Sequence, residues 1–92
     1  MRGTLILSEF NRFDEVLIIT MEECGELIQA CSKVMRTKNQ QKKYINNLKD
    51  EVGDVVAMIE IMKQYHLITQ EEIDQRVAVK REKLQQWSNI FE

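Results

Sequence analysis

No proline interrupts this chain of 92 residues, so no position is barred from a helix interior by a missing backbone donor. Strict apolar/polar alternation is also absent, as is any Asn-Gly or Asp-Gly pair of the kind that closes a β-hairpin. Apolar residues instead recur at spacings of three and four, which predicts an all-α chain of three helices. The first is drawn from about Ser8, as N-cap with Glu9 in the first turn, to Arg36. Its apolar stripe holds Phe10, Phe13, Val16, Leu17, Cys24, Leu27, Ile28, Cys31, Val34 and Met35. Thr37 to Gln41 has no apolar residue and is the break. The second helix runs to about His66. The third opens on Thr69-Gln70-Glu71-Glu72, a capping box with Thr at the cap and Glu three residues on. It continues to about Asn89.

Two features exceed what a chain of this size can cover by itself. The first helix would be roughly 40–45 Å long. From Val55 to Met62 only Glu60 is charged, and a helix apolar nearly all round is buried on more than one side. The expected architecture is one domain, an antiparallel bundle of about three helices per chain. Oligomerisation into a four-helix-type core would complete it, as a homo-oligomer, dimer or tetramer. Cys24 and Cys31 stand two turns apart on one helix, about 10 Å along the axis and too far for a disulfide. Both read as small apolar core residues.

The net charge of −2 argues against nucleic acid as a partner by bulk electrostatics. No apolar run approaches the ~20 residues that cross a bilayer, which argues against a membrane span. With no export signal apparent, the expected location is the cytoplasm.

Chemistry concentrates in a doubled block. Met21-Glu22-Glu23-Cys24-Gly25-Glu26-Leu27 and Lys49-Asp50-Glu51-Val52-Gly53-Asp54-Val55 align without a gap. Glu23 and Glu26, three apart, project from neighbouring positions of one helix face, and Glu51 and Asp54 repeat that geometry. Two such helices lying antiparallel would aim four carboxylates at one point. Like charges so gathered demand a cation, and Mg²⁺, a hard ion with oxygen ligands, answers that demand. On a helical wheel Glu51 and Asp54 fall among Val55, Met58, Ile61 and Met62. Gly25 and Gly53 occupy matching positions, so close approach of the two helices is expected there. The bland alternative is a solvated acidic face on long helices.

The pattern Glu22-Glu23-x-x-Glu26 followed by Glu51-x-x-Asp54 resembles the EExxE…ExxD signature of the MazG-like all-alpha nucleotide pyrophosphohydrolases. The resemblance covers roughly Glu9 to Tyr65. It implies a Mg²⁺ site, with Mn²⁺ as a substitute, whose ligands would be Glu23, Glu26, Glu51 and Asp54. Glu22 would be an additional ligand or the base for the attacking water. Basic residues on the last helix, here Arg76, Lys80 and Lys83, would meet the phosphates of a nucleoside triphosphate. Otherwise these three are solvent-facing charges, with the Lys80 stem lying along apolar surface. The implied activity is hydrolysis of a nucleoside triphosphate to monophosphate and pyrophosphate, in nucleotide-pool house-cleaning. A helical interaction module without catalysis is the alternative from another class.

Overall fold

Asn11 opens the first helix. Its Oδ1 accepts the Asp14 backbone N–H at 2.8 Å, and Asp14 and Glu15 set negative charge against the positive helix end. In the computed structural model, which describes residues 11–38 and 41–92, no described residue is in a strand. The chain forms α1 (Arg12–Arg36), α2 (Lys42–Gln64) and α3 (Gln70–Trp87). The N-cap expected at Ser8 falls outside the described residues, and Asn11 serves as the cap.

Each break is built by the backbone. At the end of α1, Lys38 takes φ 55° and its N–H returns to the Met35 carbonyl at 3.1 Å. At the end of α2, the His66 N–H returns to Lys63 and the Leu67 N–H to Met62, both at 3.0 Å, with His66 at φ 60°. This is a Schellman closure with histidine in the left-handed position that usually takes glycine. Thr69 then caps α3: its hydroxyl accepts the Glu72 N–H, and the Glu72 carboxylate accepts the Thr69 N–H at 2.9 Å. The predicted capping box is therefore present.

α1 and α2 form an antiparallel hairpin and make the one extensive helix–helix contact among the described residues. On α1 the seam is Val16, Thr20, Glu23, Leu27, Ala30 and Val34; on α2 it is Tyr44, Leu48, Glu51, Val55, Met58 and Met62. Both advance by alternating steps of four and three, the spacing that keeps a stripe facing a partner helix. Every one of these residues is buried or half-buried. Ala30, only 1% exposed, has no bulk beyond its Cβ and lets α2 approach.

Beside this seam α1 carries a second apolar stripe with the same steps: Leu17, Met21, Cys24, Ile28, Cys31 and Met35. All six are exposed, Met35 to 76%. The expectation of core cysteines is thus corrected. The apolar arc of α1 is wide enough for two seams, and α2 covers only one of them. α2 is likewise covered on one side within the chain: Met58 is buried, while Val52 and Val56 are exposed.

α3 stands apart. It buries no residue, and its tie to the hairpin includes the Lys63 ammonium donating to Gln70 Oε1 at 2.8 Å. The radius of gyration is 16.0 Å, against about 12 Å for a compact chain of this length. No helix among the described residues is long and apolar enough to cross a membrane.

Candidate metal centre

The seams place acids where apolar residues would be usual. Glu23 is a seam position of α1 and Glu51 a seam position of α2, so packing the hairpin turns them toward each other. Asp54 lies three residues beyond Glu51, on the flank of the α2 seam. One carboxylate oxygen from each of Glu23, Glu51 and Asp54 lies within 4.8 Å of the others. Glu23 Oε2 and Glu51 Oε2 are shielded from solvent, whereas Asp54 is exposed. The group is therefore walled by the hairpin on one side and open on the other.

Asp54 departs from the expectation of apolar surroundings. Its neighbours Met58 and Ile61 pack toward the hairpin, but α1 does not reach over the flank on which Asp54 stands. Glu22 and Glu26 are half-buried and lie outside the converging group. Each precedes a position of the α1 surface that points elsewhere: Glu26 comes one residue before the seam residue Leu27, and Glu22 one before Glu23. They share the polar flank of α1 with Glu15, Gln29 and Lys33. Three of the four predicted ligands are brought together.

The glycines do not do what the matching positions suggest. A Cβ built on Gly25 or on Gly53 meets nothing within 4 Å. Each glycine follows its seam glutamate by two residues, roughly 200° around the helix at 3.6 residues per turn. Both therefore face away from the hairpin contact, and close approach of α1 to α2 has no need of them.

Arg76, Lys80 and Lys83 are exposed on α3, which has no more than marginal contact with the helices that carry the acids. Lys80 Nζ stands 5.4 Å from the centroid of the Trp87 ring, a cation–π distance. A second group of cations escaped the sequence reading: Lys33 and Arg36, with Thr37 and Tyr44, line a cavity at the turn end of the hairpin. Its sequence signal is the lack of any acid between Glu26 and Asp50.

Three carboxylate oxygens form an all-oxygen donor set. That chemistry suits a hard divalent ion, Mg²⁺, Mn²⁺ or Ca²⁺, and disfavours soft thiophilic metals. The exposed side at Asp54 leaves room for water or for an oxygen ligand that the protein does not supply. No family model, no curated protein and no solved structure matches the chain.

Proposed function

We propose that this chain is a Mg²⁺-dependent pyrophosphohydrolase that converts a nucleoside triphosphate to the monophosphate and pyrophosphate, of the MazG-like kind. The observation that carries this reading is the convergence of Glu23, Glu51 and Asp54 within 4.8 Å, supported by the doubled acidic block in the sequence. These three would hold the ion, with Glu26 one helical step from Glu23 as a further oxygen ligand. When bound, Mg²⁺ or Mn²⁺ neutralises phosphate charge and polarises phosphate oxygens. Glu22, half-buried beside Glu23, takes the proton of a water that attacks the α-phosphorus. Arg76, Lys80 and Lys83 steady the departing pyrophosphate. Because α3 stands off from the acids in one chain, that last role falls to the α3 of a second copy.

The proposal therefore includes a homo-oligomer, dimer or tetramer. The exposed stripe from Leu17 to Met35 has the step pattern of a helix–helix seam. In an antiparallel pair the corresponding flanks lie on the same side, so Val52 and Val56 of α2 extend that stripe. A second copy on this face gives a four-helix-type core and supplies the cover that the extended single chain lacks.

Pyrophosphate release from a panel of ribo- and deoxynucleoside triphosphates is the test. Activity is expected with Mg²⁺, lost with EDTA and regained with Mg²⁺ or Mn²⁺. Glu51→Gln should lower turnover by about two orders of magnitude or more. Silence across the whole panel in excess Mg²⁺ would remove the reading. The exposed apolar surface favours one alternative, a non-catalytic interaction module. In that case Glu23→Gln and Glu51→Gln should leave the protein as stable or more so, since they replace acids in a helix seam with neutral groups.

A further inference from the structure

The turn end of the hairpin carries charge unlike the rest of the chain. From Leu27 to Lys49 there are six cations and no acid, while the remaining residues hold all fifteen acids and seven cations. The overall charge of −2 conceals this segregation. Part of it is ordinary helix electrostatics, because Lys33 and Arg36 sit in the last turn of α1, where a cation complements the negative end. The rest is not. Lys42 and Lys43 begin α2, where the helix end is already positive, and its first turn holds no acid to offset them. Breaches of local preference of this kind concentrate at functional sites.

That same end is concave. Lys33, Arg36, Thr37 and Tyr44 line a cavity of about 270 Å³, close to the lower bound for small-molecule sites. The Thr37 hydroxyl sits within bonding distance of the Lys33 and Val34 carbonyls, at 3.0 and 3.1 Å, so its proton is committed to closing α1. Among the described residues the donors left on the walls are the Lys33 ammonium, the Arg36 guanidinium and the Tyr44 hydroxyl. Lys43 Nζ stands 4.9 Å from the centroid of the Tyr44 ring. Among the described residues no carboxylate is ion-paired with Lys33 or Arg36.

We infer that this cavity binds a small phosphorylated molecule, with Arg36 and Lys33 donating to its phosphoryl oxygens and Tyr44 forming the opposing wall. Phosphate fits because it brings more than one negative charge and accepts the two-pronged donation of a guanidinium. A nucleic acid strand would need a cationic track along its backbone, whereas of the six cations at this end only Lys33 and Arg36 line the hollow among the described residues. Lys33 lies ten residues beyond Glu23, and Tyr44 seven before Glu51. The cavity is thus two to three turns, about 10–15 Å, along the hairpin from the acids, and its assignment stands whether or not those acids hold a metal.

Inorganic phosphate and pyrophosphate, titrated into the full chain in EDTA and followed by backbone amide shifts, test this pocket with the metal site silenced. Saturable shifts are expected at Thr37 and Tyr44. Arg36→Gln should weaken binding about tenfold or more, and Arg36→Lys should restore part of the loss. Lys33→Gln should weaken binding as well, and both positions are exposed, so far-UV circular dichroism should show the helices intact. Should Arg36→Gln not fold, Lys33→Gln and Arg36→Lys carry the same comparison. Absence of a saturable shift, or equal affinity in the variants, overturns the inference. So does a single-stranded oligonucleotide that shifts these amides when phosphate and pyrophosphate do not, because the occupant would then be a polymer.

Discussion

In the α1–α2 hairpin two seams bury Val16, Ala30, Val34 and Met58 against each other, whereas α3 buries nothing and leaves Trp87 66% exposed. Both regions are regular helix, yet different physics maintains them. The hairpin is held by apolar area removed from water. α3 is held by local devices: the Thr69–Glu72 capping box, the Gln70 amide donating to Asp74 Oδ1 at 2.8 Å, and Lys80 over Trp87. Such devices are each worth about 1 kcal/mol or less, and an 18-residue helix resting on them alone is marginal in water. Helical form therefore does not report stability here. The packed pair holds the buried apolar residues of the described chain, whereas α3 leaves Val77 and Trp87 exposed.

The comparison breaks first at the hairpin core. Met58→Ala removes the one buried side chain of α2 and should cost about 2–4 kcal/mol. Urea denaturation followed by circular dichroism would show it, and the loss should take both hairpin helices together. A change smaller than about 0.5 kcal/mol would mean that the seam contributes little. Thr69→Ala should cost about 1 kcal/mol, and hydrogen exchange should place the loss in α3 while α1 and α2 keep their protection. If hairpin amides open equally, the two regions are one cooperative unit. The smallest effect is a gain. Gly53→Ala should stabilise the chain by about 0.5–1 kcal/mol, since the added methyl meets open space within a helix. A loss of stability instead would mean that a second copy packs closely against that side of α2.

The doubled acidic block and the seams illustrate what a linear pattern carries. Glu23, Glu51 and Asp54 were legible as a group because their spacing repeats in two helices that a short break folds back on each other. Glu26 was placed in the same group by its spacing alone, but three residues along a helix also turn a side chain by some 60° from its neighbour. Asp54 makes the same turn from Glu51 and still joins the group, so spacing alone does not decide which acid converges. The cavity at Lys33, Arg36 and Tyr44 was not legible, because a net charge averages over the whole chain and conceals a local run of cations.

Helical periodicity, the position of the break near Thr37, the Thr69 cap and the acidic repeat were determined by residue order, since each depends on neighbours within about four positions. Only the tertiary structure decided which of two adjacent apolar stripes on α1 meets α2, leaving Cys24, Cys31 and Met35 in the open and turning Gly25 and Gly53 outward. The physical reason is rotational. A helix presents its side chains at set angles about its own axis, but the rotation of that axis against a partner is chosen by how the two surfaces interlock. In α1 the packed stripe carries Ala30, whose lack of bulk lets α2 approach there.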